Sequence, residues 1–434
     1  MTLRSAMSER SNVYFDMTEA LMAFGGKNAQ YYGIARTVHE VGKALAQLET
    51  QTCFVVYSFA YRRFFKISHR IDADGEVVFD FPSAFSQTKM RTVYRSSLLT
   101  AALQGLDRFR AGRNRRIWDF NARYFAPVEL KPGVFISLAR PKLLVDPVWT
   151  VLKDQPSVAV VPLLHDLMPL YKDKRRRFSS FARNFLNDNR FLIENAAAVL
   201  TNSVFTKNEI EHFVAQGLLP ATPPMEAVPL VQFCPEGKEP PALELPQTPF
   251  VLSVGPNLGN KNIELTFSAL LALHRSGRPV PDFVIAGTAR RRIRDYVAGK
   301  DFDPIRDKIR FIGNPSQTDL VRLYRGALAL IIPSRMEGWG LPAGEALWCG
   351  TPVIASTAPA LKEACGDLAL YVDPDDSEGL ADSISRLMVE PETAAALRAA
   401  IASHHPSFRT WDDVARDVVI AALRHAPPAS RLAG

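Results

Sequence analysis

From residue 250 onward the chain alternates between short apolar runs and stretches with helical spacing. The runs fall at residues 250–254, 283–286, 309–312, 327–332, 352–356 and 368–372, and the helical stretches between them include 262–275 and 318–325. Short apolar strands separated by helices predict a parallel, doubly wound α/β sheet, in which helices cover both faces. The opening of the chain follows the same plan less regularly. A strand is expected at 12–17, then a loop with Gly25 and Gly26, then a helix from 33 to 45 in which Ile34, Val38, Val41 and Leu45 recur at helical spacing. Further strands are expected at 51–57, 134–138, 158–164 and 196–202, the last followed by a helix at 207–215.

Between residues 217 and 249 lie nine of the chain's 31 prolines. That density excludes a long helix and marks a linker, with a short strand expected at 227–231. With 434 residues the chain is too long for one ordinary core, so two domains are expected, on either side of this linker. Residues 59–131 are rich in arginine and aromatics; most of these read as core and helix-packing residues, and no chemistry follows from them.

The stretch 329–350 is the best candidate for a ligand site. An apolar run breaks at Pro333 and Ser334, passes Gly338 and Gly340, and restarts as a helix with Pro342 in its first turn, where the fixed φ of proline fits. A strand, loop and helix N-terminus present unpaired backbone N–H groups and the positive end of a helix dipole, which suit a phosphate or diphosphate. Glu337 and Glu345 flank the junction. A carboxylate does not bond a phosphate, so both are expected to face hydroxyl groups. After the strand at 250–254 comes Gly255-Pro256-Asn257-Leu258-Gly259-Asn260-Lys261, which is not the Gly-x-Gly-x-x-Gly of a dinucleotide site and disfavours a nicotinamide dehydrogenase.

Composition bounds the partners. An apolar fraction of 47% with 22% charged residues is that of a soluble globular protein, and no apolar stretch is long enough to span a bilayer. The first residues lack the apolar core of a signal peptide, so a cytoplasmic location is expected. Cys53, Cys234, Cys349 and Cys365 have no metal-like or redox-like spacing and read as free thiols. The net charge of +7 comes with two basic clusters, Arg108, Arg110, Arg113, Arg115 and Arg116, and Lys172, Lys174, Arg175, Arg176 and Arg177. No nucleic-acid-binding motif accompanies them, so an anionic membrane surface, at the inner face of the plasma membrane, is the expected partner rather than nucleic acid.

The segment Glu337-Gly338-Trp339-Gly340-Leu341-Pro342 with Glu345-Ala346 resembles the signature of retaining glycosyltransferases of family 4 (group 1), including bacterial polysaccharide and lipopolysaccharide mannosyltransferases. The resemblance implies the GT-B fold: two Rossmann-like doubly wound parallel-sheet domains with an interdomain cleft. Residues 1–235 would form the acceptor-side domain, 236–409 the nucleotide-sugar domain, and a helix at 410–425 would pack back on the first. It implies that Glu337 and the amides of Gly338, Trp339, Gly340 and Leu341 hold the donor sugar and diphosphate. Glu345 would hold the ribose and Lys261 the diphosphate. The family's arginines near that lysine are replaced here by Pro256 and Asn260; Arg335 either compensates for them or is simply a solvated arginine.

By the same resemblance Gly313 lies beside the nucleotide base. His165, in His165-Asp166-Leu167-Met168-Pro169-Leu170, approaches the donor sugar, although a lone histidine after a strand is also a common packed imidazole. Gly33 either lines the cleft or only opens its helix, and Ser203 and Thr206 either meet a ligand or cap the next helix. The implied reaction moves a sugar, mannose from GDP-mannose, to a glycan or lipid-linked acceptor of a surface polysaccharide, with retention. It needs no metal and no cofactor beyond the donor substrate. A sugar-nucleotide epimerase, a phosphorylase or a non-catalytic binding protein would share the fold.

Overall fold

The computed structural model describes residues 12–24, 33–48, 51–83, 85–87, 100–171, 180–287 and 291–425. Gly25, Gly26 and the basic run from Lys172 to Arg177 lie outside the described residues. The chain divides into two compact units, one reaching to Val228 and resuming at Trp411, the other spanning Pro229–Thr410.

The first unit holds β1 (Asn12–Asp16), β2 (Thr52–Ser58), β3 (Arg63–Lys66), β4 (His69–Ile71), β5 (Val77–Phe79), β6 (Ala126–Pro127), β7 (Gly133–Ser137), β8 (Val158–Leu164), β9 (Val199–Thr201) and β10 (Met225–Ala227). Its main sheet runs β10-β9-β8-β7-β1-β2-β3-β6, with β4 and β5 forming a separate ribbon. From β10 to β2 the strands are parallel, and β3 and β6 extend the edge antiparallel. All seven residues of β8 are buried, which is why its sequence is continuously apolar rather than alternating. Helix α1 (Gly33–Gln47) buries Val38, Val41 and Leu45, and the helix Trp411–His425 packs against it.

The arginine- and aromatic-rich region 59–131 supplies β3, β6, the β4–β5 ribbon and helix α2 (Thr100–Phe120). Buried Trp118 of α2 stacks among Phe65, Phe85 and Phe125 at ring separations of 4.7, 5.2 and 4.4 Å, and its indole donates to Gln87 at 2.9 Å. The strand expected at 227–231 falls instead at 225–227, in register with Val199–Thr201. The last sheet bond is Val228 N–H to Thr201 O at 2.7 Å, because Pro229 has no N–H to continue the ladder.

The second unit is a six-stranded, wholly parallel sheet of β11 (Phe250–Val254), β12 (Asp282–Ala286), β13 (Ile309–Ile312), β14 (Ala329–Ile332), β15 (Val353–Ser356) and β16 (Ala369–Val372), ordered β13-β12-β11-β14-β15-β16. Helices α3 (Ile263–Arg275), α4 (Gln317–Gly326) and α5 (Leu341–Trp348) follow β11, β13 and β14. The order reverses between β11 and β14. In an open sheet of this kind the helices leaving two such strands go to opposite faces, and a crevice opens beyond their C-terminal ends.

Candidate active site

The chain leaves β11 and β14 at that reversal, and the two loops are tied together. Lys261, from the loop after β11, donates through Nζ to Glu337 Oε1 at 2.6 Å, from the loop after β14. Glu337 is the buried partner, its side chain 6% exposed against 29% for Lys261. Asn262 holds a left-handed φ of 51°, and its Nδ2 donates to Pro333 O at 3.0 Å and Pro374 O at 2.7 Å, joining the loops after β11, β14 and β16. Arg335 N–H donates to Asn260 O at 2.8 Å, and the Arg335 guanidinium pairs with Asp375 at 2.6 Å. A small pocket lies here, lined by Ser253, Pro256, Lys261, Ser334 and Pro342 among others. The buried Ser334 hydroxyl has no hydrogen-bond partner among the described residues.

The loop reaches α5 through Gly340, whose φ is 100°. A Cβ there would lie 2.5 Å from Leu361 Cδ2, so both conformation and space demand glycine. Gly338 is buried, and Leu341, half-buried, opens α5 with Pro342 in its first turn. The Trp339 side chain turns away from this pocket's lining: its buried indole N–H donates to Val231 O at 3.1 Å. Glu345 is buried inside α5 and accepts at Oε2 from the Tyr324 hydroxyl of α4 at 2.6 Å. Gly313 is exposed just beyond β13, followed by Asn314 with φ 48°.

Glu337, Lys261, Arg335, Glu345 and the glycine loop thus belong to the second unit, and His165 and Gly33 to the first. His165 follows β8 and is buried, with Nε2 2.6 Å from Leu138 O. A carbonyl only accepts, so Nε2 carries the hydrogen and Nδ1 is the acceptor. Burial pushes the imidazole pKa down to about 4, which keeps it neutral at pH 7. Gly33 is exposed at the start of α1, and its carbonyl accepts from Thr37 Oγ1 at 2.9 Å. Ser203 caps the helix Val204–Ala215 by accepting from Thr206 N–H, and Asp166 Oδ1 accepts from Met168 N–H at 3.1 Å.

Several residues escape a reading by motif. Asp16 and Glu19, at and just beyond the C-terminal end of β1, are fully enclosed; Asp16 accepts from Ser137 Oγ at 2.7 Å and Glu19 pairs with Arg140 at 2.8 Å. Burial raises both carboxyls above the usual range. Tyr324, Asn262 and Asp375 each hold a candidate residue or its loop, but carry no local signature. Only Asn262 offers a hint, as an asparagine tolerant of positive φ directly before an apolar helix.

Residues 237–404 match the family described as glycosyl transferases group 1. Over 124 residues the chain is 36% identical to D-inositol 3-phosphate glycosyltransferase of Frankia alni, covering 28% of this chain and 30% of that protein. Over 76 residues it is 41% identical to O-antigen chain mannosyltransferase B of Escherichia coli, covering 18% of this chain and 20% of that one. The matches therefore span less than a third of these curated relatives. Among solved structures the chain is similar to HepE of Anabaena, crystallised in complex with UDP-glucose, with a TM-score of 0.60 at 12% identity over 95% of this chain and 99% of that one. At that identity the likeness is one of fold. Residues 237–404 thus match the group 1 glycosyl transferases, within a chain of the GT-B fold.

Proposed function

We propose that this chain is a retaining, metal-independent glycosyltransferase that moves mannose from GDP-mannose to a hydroxyl of a glycan or lipid-linked acceptor of a surface polysaccharide. The observation that carries the reading is the Lys261–Glu337 pair at the sheet reversal, beside the amides that lead into α5. A nucleotide diphosphate taken up there exchanges partners with the pair. Lys261 turns to the diphosphate, and Glu337 accepts from sugar hydroxyls. The N–H groups around Gly338 and Gly340, with the N-terminus of α5, face the same diphosphate, where a helix dipole favours negative charge. Glu345, positioned by Tyr324, accepts from the ribose.

In the transfer the bond from C1 to the phosphate oxygen breaks and a bond from the acceptor oxygen forms on the same face. The acceptor proton passes to the departing phosphate oxygen. Lys261 and the loop amides stabilise charge that grows on the leaving group, a task for fixed positive groups in a water-poor site. Mannose as the sugar draws on the likeness to the mannosyltransferase of E. coli.

Thermal unfolding with GDP, UDP, dTDP and ADP in turn tests the reading. A nucleotide at about one hundred times its Kd stabilises the folded state by about 2.7 kcal/mol. GDP is expected to raise Tm in the wild type and not in Glu345→Ala. No shift with any nucleotide, or a shift that Glu345→Ala leaves intact, refutes the site, and a shift with UDP alone refutes the donor.

A further inference from the structure

Helix α2 is anchored by one face, and its other face has no partner among the described residues. Asn114 and Trp118 are buried, and the aromatic packing of Trp118 sets the helix's rotation. Opposite them stand Phe109, Arg113, Arg116 and Phe120, spaced four, three and four residues apart, the repeat that aligns side chains along one face. All four are exposed, Phe109 by 71% and Phe120 by 87%. The two phenylalanines stand about 16 Å apart along the axis, with the two arginines between them.

This face carries positive charge that the described residues around it do not neutralise. No carboxylate among the described residues pairs with Arg113 or Arg116. The acid on the flank, Asp119, is engaged by the Tyr61 hydroxyl, and Arg63 and Arg115 lie close enough to that hydroxyl to act on its titration. Beyond the end of α2, exposed Arg123 lies over the Tyr124 ring at 4.9 Å. Large exposed rings are costly in water, while the guanidinium groups interleaved with them are hydrated but meet no counter-charge among the described residues. They are satisfied together where rings enter an apolar boundary and cations meet anions at its surface, the arrangement of a helix lying in a membrane interface.

We infer that the outer face of α2 docks the chain onto an anionic lipid bilayer, with Phe109 and Phe120 entering the headgroup–acyl boundary and Arg113 and Arg116 between lipid phosphates. The charge complementarity selects the occupant: a protein groove would cover the rings but leave the arginines unpaired unless it were acidic. No helix among the described residues is long and apolar enough to cross a membrane, so the contact lies on the surface. The inference goes beyond the proposed sugar transfer and stands without it.

Co-sedimentation of the full chain with vesicles tests it, without donor or acceptor. Vesicles of phosphatidylcholine with about one-third phosphatidylglycerol should retain the protein and vesicles of phosphatidylcholine alone should not. An arginine at an anionic surface contributes about fivefold, so Arg113→Gln with Arg116→Gln should weaken binding by about 25-fold. Phe109→Ser with Phe120→Ser should weaken it by about tenfold or more. All four side chains face outward, so both variants should keep the wild-type Tm. Retention by neutral vesicles equal to that by anionic ones, no retention at all, or retention untouched by either pair overturns the inference. So does a wild-type dimer in sedimentation velocity that the serine pair dissociates, because the face would then be an interface between copies. Nucleotide shifts measured on the same samples separate failure here from failure of the proposed site.

Discussion

Removing either member of the Lys261–Glu337 pair should not cost the same, and the difference follows from their burial. At 2.6 Å the gross attraction in an effective dielectric of about 20 is about 6 kcal/mol, most of which is offset by desolvating the carboxylate. In Lys261→Met the carboxylate, only 6% exposed, keeps its burial and loses its cation. Breaking a buried pair this way costs about 3–5 kcal/mol, and the 29% exposure of Lys261 places this case at the lower end or below, at about 2–3 kcal/mol. In Glu337→Gln the amide oxygen still accepts from Lys261, whose ammonium reaches water, so the loss should be about 1 kcal/mol. The double variant leaves no stranded charge and should lose about 1 kcal/mol, giving a coupling of about 2–3 kcal/mol. Urea unfolding read by tryptophan fluorescence suits the measurement, since Trp339 is buried two residues from Glu337. Glu337→Gln costing as much as Lys261→Met, or a double variant equal to the sum of the singles, would falsify this account of the pair.

Three other outcomes are expected. Tyr324→Phe removes a charge-assisted bond of 2.6 Å to buried Glu345 and should destabilise the second unit by about 1.5–3 kcal/mol by urea unfolding; an unchanged midpoint would show that the bond contributes nothing. Gly340→Ala forces a side chain into φ 100° and against Leu361, and should lose about 1–3 kcal/mol, while Gly313→Ala, with open space around its Cβ, should lose less than 1 kcal/mol; equal losses would contradict the steric explanation. His165 has its folded pKa near 4, below the ordinary 6.5, so the unfolded chain binds a proton the folded chain refuses. Its contribution is whole above pH 6.5 and lost as pH falls from 6.5 to about 4, by about 3 kcal/mol. Raised carboxyl pKa values at Asp16 and Glu19 act in the opposite sense, so the test is the difference in acid unfolding between wild type and His165→Asn, and parallel curves would exclude the effect.

Local pattern was enough for much of this molecule. The 250–372 alternation reads directly as β11 to β16 with intervening helices, because burial on both faces makes parallel strands continuously apolar and helices keep their own period. Gly340 and Pro342 likewise announce a loop turning into a helix, since φ restrictions belong to single residues. The pairing of Lys261 with Glu337 across 76 residues, of Tyr324 with Glu345 across 21, and of Trp339 with Val231 across 108 depends on which strands become neighbours. That β11 lies beside β14, and not beside β12 alone, is set by how the helical crossovers pack, and no short-range period encodes it. The same holds for α2, where an arginine-rich, aromatic segment gives no clear helical stripe until Trp118 finds Phe65, Phe85 and Phe125. Residue-level conformation and periodicity are written along the chain, while the meeting of strand ends and the rotation of a helix are properties of the packed core.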